Sequence, residues 1–305
     1  MLEQCRVIRI ISAAMLCACG GCGALGLPLP GVGNVPASLV LPGDDAEVPF
    51  LFHAGYVVVD VKINGMGPHK FLIDTGASVS VISSRISGNL PQNIVGTTSI
   101  VSNVDPNTLS TSFILIDRLE MGPIAFERLQ AAILSAITIT SNDQRIVVDG
   151  ILGAPLFRNV ALTVDYPMQS VRIRNSASPP VNQCKVFATS PGPADLPTIN
   201  LVVAGRQTQA IIDTGNNEFL LLPAEFSTLS FIGPTQPSTA ATVTGVLATI
   251  VGRLNGVVQS GCLSFDQPTL TIGGNISSMG SKAFSDSSIT LDQASNLFWL
   301  QGSAQ

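Results

Sequence analysis

Short apolar stretches rich in Val, Ile, Leu and Thr alternate along this chain with clusters of Gly, Pro, Asn and Asp. That rhythm predicts strands and turns rather than helices. Residues 56–63 alternate as a half-buried strand does, and Asn64-Gly65 is a hairpin turn signal. The chain then returns through Phe71-Leu72-Ile73 into Asp74, and Val79, Val81 and Ile82 form the next apolar strand. The second half repeats the plan. Residues 198–203 turn at Ala204-Gly205-Arg206, run through Ala210-Ile211-Ile212 into Asp213, and continue at Phe219-Leu220-Leu221-Leu222. Gly65 lies nine residues before Asp74 and Gly205 eight before Asp213. A second pattern follows each copy. Asp149-Gly150-Ile151-Leu152-Gly153 precedes Leu162-Thr163-Val164-Asp165, and Leu270-Thr271-Ile272-Gly273-Gly274 precedes Ile289-Thr290-Leu291-Asp292.

The 305 residues suffice for two domains with separate cores. Charged residues make up 11%, and 28 Gly and 20 Pro supply the turns a β chain needs. A net charge of −5 without any basic cluster argues against a nucleic-acid partner. The N-terminus carries Arg6 and Arg9 and then a short apolar run to Leu16, the pattern of a secretory signal and too short for a membrane span. Leu16-Cys17-Ala18-Cys19 resembles a bacterial lipobox, which makes Cys19 the candidate lipidation site and implies an exported, periplasmic or cell-surface protein held to a membrane by lipid. A Cys19-Gly20-Gly21-Cys22 register, with a poorer residue at the leucine position, and plain signal cleavage nearby are the alternatives. Residues 1–22 are therefore read as signal and lipobox, 23–47 as a flexible tether, 48–175 and 185–305 as two lobes, and 176–184 as the linker between them. Export favours oxidation, so Cys184 and Cys262 are a candidate disulfide.

The chemistry lies at the strand ends. Asp is depleted from strands and costly to bury unless paired or neutralised, so a carboxyl closing each apolar run needs a reason. Two such acids meeting between two lobes can share one proton. Phe71-Leu72-Ile73-Asp74-Thr75-Gly76-Ala77-Ser78 and Ala210-Ile211-Ile212-Asp213-Thr214-Gly215-Asn216-Asn217, each with its downstream apolar-Gly strand, resemble the aspartic proteases, pepsin-like and retropepsin-like, from about residue 48 onward.

That resemblance implies an all-β fold of two homologous retropepsin-like closed β-barrel lobes with a cleft between them. It implies a monomeric aspartic endopeptidase with catalytic Asp74 and Asp213, needing neither cofactor nor metal, and taking a peptide or protein in extended conformation. Thr75 and Thr214 would cross-brace the acid loops, and Gly76 and Gly215 would let the backbone pass close to the carboxyls. Flap hairpins are expected near Ile94–Leu109 and Gly233–Leu247. Pepsin-like enzymes place a hydroxyl after each triplet, where this chain has Ala77 and Asn216. Without that hydrogen bond Asp74 should be less acidic and activity should extend from acid toward neutral pH. The rival reading is a catalytically weak protein of this fold that serves as a binding or surface-interaction module. His53 and His69 lack metal-ligand spacing, and neither a Gly-x-Ser-x-Gly elbow nor a P-loop is present.

Overall fold

The computed structural model describes residues 9–10, 16–18, 37–91, 93–102, 108–141, 144–180, 186–192, 195–241 and 246–302. The chain is nearly all strand, as the apolar alternation predicts. Its plan is easiest to build from the two hairpins that deliver the acids.

Tyr56–Ile63 and Met66–Asp74 pair antiparallel, with Val58 opposite Leu72 and Asp60 opposite Lys70. Between them Asn64 and Gly65 both take positive φ, 49° and 79°, as a two-residue hairpin turn demands. The returning strand is exposed at the turn and fully buried from Phe71 to Asp74, so the acid is carried inward by its own strand. Pro197–Val203 and Arg206–Asp213 repeat this arrangement, with Ala204 and Gly205 at φ 46° and 83°.

Each acid-bearing strand is flanked by a parallel supporting strand. Gly150–Gly153 lies beside Met66–Asp74, with Leu152 opposite Ile73 and Gly153 opposite Asp74. Its counterpart is Ser277–Gly280, with Met279 opposite Ile212 and Gly280 opposite Asp213. The structural repeat of Gly150–Gly153 is therefore not Leu270–Gly274, the segment the sequence pattern matched to it. Thr269–Ile272 instead runs parallel to Leu220–Leu222, the relation Ile124–Leu134 has to Ser80–Ser83 in the first half. The polar pair Ser277-Ser278 hid the true repeat. Spacing held the signal, because Gly153 precedes Leu162 by nine residues and Gly280 precedes Ile289 by nine, whereas Gly273 precedes it by sixteen.

The strands carrying Asp74 and Asp213 thus belong to two large sheets. In the first, Thr108–Met121 also pairs with Tyr56–Ile63, which joins six strands into a ring. No equivalent closing pair joins the second sheet among the described residues. A six-stranded sheet unites the halves. Its central pair is Ala161–Asp165 against Ser287–Asp292, where Thr163 meets Thr290 with their hydroxyls 2.8 Å apart. Trp299 and Phe298 are buried on the next strand, Phe298 between the rings of Phe187 and Phe284. One apolar cluster runs through both halves, including Phe71, Ile73, Ile212, Leu220 and Leu291. Each such buried side chain contributes roughly 1.5–3 kcal/mol, so the halves are held by shared core as well as by hydrogen bonds.

Part of the stretch expected as tether, residues 23–47, is strand. Ser38–Val40 pairs with Ile124–Leu134, and Asp45–Pro49 forms an edge of the six-stranded sheet. Alternation in Asp45–Pro49, buried at Ala46 and Val48, was masked in the sequence by neighbouring Pro and Gly. Hairpins occupy both predicted flap regions, Ile94–Ser102 with Thr108–Met121 and Gln236–Ala241 with Val246–Arg253. Their tips, 103–107 and 242–245, lie outside the described residues.

Candidate active site

Asp74 and Asp213 end their strands at the junction of the two halves, 0% and 1% exposed. Each acid packs against the glycine of the opposite triplet. A Cβ on Gly76 would stand 2.3 Å from Asp213 Cγ, and one on Gly215 would stand 2.2 Å from Asp74 Cγ. No side chain larger than hydrogen fits at either place. The triplet glycine is therefore a requirement of close approach across the junction.

The two threonines lock the loops together. Thr75 Oγ1 donates to Ile212 O at 2.6 Å, and Thr214 Oγ1 donates to Ile73 O at 2.7 Å. Each hydroxyl also accepts the other threonine's backbone N–H at 3.1 Å. Four buried hydrogen bonds, made in reciprocal pairs, fix one acid loop against the other. A buried hydroxyl without such partners would cost about 1–3 kcal/mol, so the lock has no cheap half-formed state.

Within each loop the carboxyl is first anchored by its own backbone. Gly76 N–H donates to Asp74 Oδ1 and Gly215 N–H to Asp213 Oδ1, both at 2.9 Å. Beyond that point the environments diverge. Ser278 Oγ donates to Asp213 Oδ2 at 2.7 Å, while Asp74 Oδ2 receives no side-chain hydroxyl among the described residues. Burial holds Asp74 well above the ordinary carboxylate range. The negative charge of Asp213 and contact between the carboxyls add to the rise, and the N–H groups of Gly76 and Ala77 offset part of it. Two carboxyls in contact inside the protein can share one proton.

Two tyrosines that sequence reasoning missed lie within electrostatic reach of the acids. Tyr56 and Tyr166 are buried, and neither hydroxyl has a hydrogen-bond partner among the described residues. Burial raises both phenols first. The charges of Glu218, Asp213 and Asp74 raise Tyr56 further, and that of Asp213 raises Tyr166. The alternating pattern shows Tyr56 as a strand residue but not that its strand passes the acids. Second-half residues also grip the turn before Tyr56, with Asn217 Nδ2 donating to Ala54 O and Ser281 Oγ to Gly55 O.

Cys262 is disulfide-bonded, whereas Cys184 and Cys19 lie outside the described residues. His53 is buried on the edge strand Leu51–His53, and His69 Nδ1 sits 3.7 Å from Asp149. Asp149 accepts Arg85 at 2.6 Å and also Ser83, at the entrance to the first supporting strand and away from the carboxyl pair.

Comparison with known proteins agrees with this geometry. The chain matches the family described as aspartyl protease over residues 59–156, which includes the Asp74 triplet and its supporting strand. No curated protein matches it by sequence. Among solved structures it is similar to the aspartic proteinase from Irpex lacteus, with a TM-score of 0.51 and 14% identity over 85% of this chain and 98% of that one. At that identity the likeness concerns the fold. The all-β chain has the fold of an aspartic proteinase, and the match to its first half supports an aspartic protease family.

Proposed function

We propose that the protein is an aspartic endopeptidase whose Asp74/Asp213 pair activates a water molecule for attack on a peptide carbonyl. One observation carries the reading. Two buried acids end equivalent strands, pack against each other's glycines and are clamped by reciprocal threonine bonds. A binding surface gains nothing from two neighbouring buried carboxyls, whose mutual repulsion has to be relieved by a shared proton.

In this reading the charged carboxyl takes a proton from the water, and the protonated one donates to the carbonyl oxygen as the tetrahedral diol forms. A carboxyl then returns a proton to the departing amine. The substrate lies extended between the two hairpins, bonded along its backbone as an added strand. Both acids come from one chain, so a monomer suffices. We further propose export and a lipid anchor at Cys19 on the strength of the lipobox resemblance.

The test is hydrolysis of an unfolded protein across pH 3 to 7 by the parent, Asp74→Asn and Asp213→Asn. Loss of one acid–base group should cost about 10²–10⁴-fold in rate, so the expected result is cleavage by the parent that disappears in both variants. Cleavage surviving either substitution would refute the shared pair, and a folded parent that cuts nothing would favour the binding-module reading.

A further inference from the structure

The two supporting strands reach their acids with different side chains. In the first, Ile151 stands opposite Leu72, two residues before Asp74. In the second, Ser278 stands opposite Ile211, two residues before Asp213. The backbone around them repeats closely. Ala77 N–H donates to Asp74 O and Asn216 N–H to Asp213 O, both at 3.2 Å. Ala77 O accepts Ala154 N–H and Asn216 O accepts Ser281 N–H, both at 2.8 Å. On this common frame the first half carries Ala77 and Ile151, and the second carries Asn216 and Ser278.

Those two polar residues form a directed chain. Glu218 N–H donates to Asn216 Oδ1 at 2.9 Å, which sets the amide with its Nδ2 turned the other way. Asn216 Nδ2 then donates to Ser278 Oγ at 3.0 Å and to Ser278 O at 3.1 Å. Because Ser278 Oγ already accepts from Asn216, its own proton points along the remaining contact, 2.7 Å to Asp213 Oδ2. Asn216 and Ser278 are 0% and 1% exposed, so water does not compete. A hydroxyl that can only donate favours a charged acceptor over a neutral one.

We propose that Ser278, aimed by Asn216, is a positioning residue that fixes Asp213 as the carboxylate of the pair and leaves Asp74 as the proton-carrying acid. The inference rests on the endopeptidase reading and adds the direction of catalysis to it. Asp213 takes the proton from the attacking water, and Asp74 donates its proton to the substrate carbonyl. Ser278 supplies Asp213 with the hydroxyl that Asn216, directly after the triplet, does not carry. It arrives from a strand 65 residues downstream of the acid.

The groups that bear on this titration come from several elements. Asp74 contacts Asp213 from the first hairpin, while the charge of Asp213 reaches Tyr56 at the start of that hairpin and Tyr166 in the turn after Ala161–Asp165. The Glu218–Lys282 ion pair, at 2.9 Å, flanks Asn216. Both tyrosines stay neutral well past the ordinary carboxylate range, since burial raises them.

The experiment titrates the aspartate carboxyl carbons of the whole chain by NMR with ¹³C-labelled Asp, assigning the signals through Asp74→Asn and Asp213→Asn. Parent, Ser278→Ala, Ser278→Thr and Asn216→Ala are compared, with the pH dependence of kcat/KM measured on the same samples. The expected result is that Asp213 ionises first in the parent. In Ser278→Ala that first ionisation and the acid limb of kcat/KM both move up by about one to two pH units. Asn216→Ala should move them less in the same direction, and Ser278→Thr, which keeps the hydroxyl, should restore them. First ionisation at Asp74, or an unmoved first ionisation in Ser278→Ala, would overturn the proposal. A parent that cleaves no peptide yet shows the expected order and shift would refute the endopeptidase reading and leave the role of Ser278 in place.

Discussion

Around Asp74 the supporting strand presents Ile151 and the loop continues with Ala77, whereas around Asp213 the same two places hold Ser278 and Asn216. The backbones, the anchoring glycine N–H bonds and the threonine clasp are shared between the two loops. Symmetry therefore governs how the acids are held, and the departures from it govern which of them carries charge. A pair of identical carboxyls in identical surroundings would divide one proton evenly, and a single hydroxyl on one side is enough to bias that division.

The comparison breaks most severely at the shared parts, where both halves should fail alike. Gly76→Ala and Gly215→Ala each drive a methyl group into the opposite carboxyl. Displacing a reacting group by an ångström costs on the order of 10²-fold, so kcat/KM should fall at least that far in both variants. Normal activity in either would show that the acids do not meet as described. Next come Thr75→Val and Thr214→Val, which strand a buried N–H and a carbonyl in each loop. Urea unfolding should register a loss of about 2–4 kcal/mol for each, equal within error if the clasp is truly reciprocal. A one-sided loss would mean that only one threonine bears the junction.

Smaller effects sharpen the asymmetry. Ala77→Ser introduces a hydroxyl beside the Asp74 triplet and makes the first loop more like the second. A hydrogen bond to the charged form lowers the pKa of Asp74, so the alkaline limb of the activity profile should fall by about one pH unit. An alkaline limb that stays put would show that Asp74 is not the acid whose proton sets it.

The least effect is on stability. Burial and Asp213 raise Asp74 in the folded state above its unfolded value. Its contribution is then fully present below the ordinary carboxylate pKa and is lost as pH rises through the folded one. Asp74→Asn cannot ionise and escapes that loss, so at neutral pH it should melt about 2–4 °C above the parent, the equivalent of roughly 1 kcal/mol. Asp213→Asn should show no such gain, because it weakens the acceptor that Ser278 donates to. Equal melting shifts for the two would remove the distinction between the loops.

Much of this arrangement was legible residue by residue. Period-2 alternation marked Tyr56–Ile63, and the turn residues Asn64-Gly65 and Ala204-Gly205 marked two hairpins. Apolar runs ending in Asp-Thr-Gly then placed both acids at buried strand ends. The threonine clasp followed from the repeated triplet once the family resemblance was drawn. Ser38–Val40 was not legible, because three residues among prolines carry too little periodicity to be told from a tether. The second supporting strand was misplaced because the reading looked for apolar residues where the chain has Ser277-Ser278.

The chain by itself determined the local units, since hydrophobic period, turn chemistry and the triplets act over a few residues and need no partner. The tertiary structure alone decided what each unit meets. Ser278 reaches Asp213 across 65 residues, Thr75 reaches Ile212 across 137, and Tyr56 comes within reach of the charge of both acids. Alternation says which face of a strand is buried, but not which side chain of which other strand is buried against it. The two acids could be read as a pair from their surroundings in the sequence, and the inequality between them arose only when the strands were packed side by side.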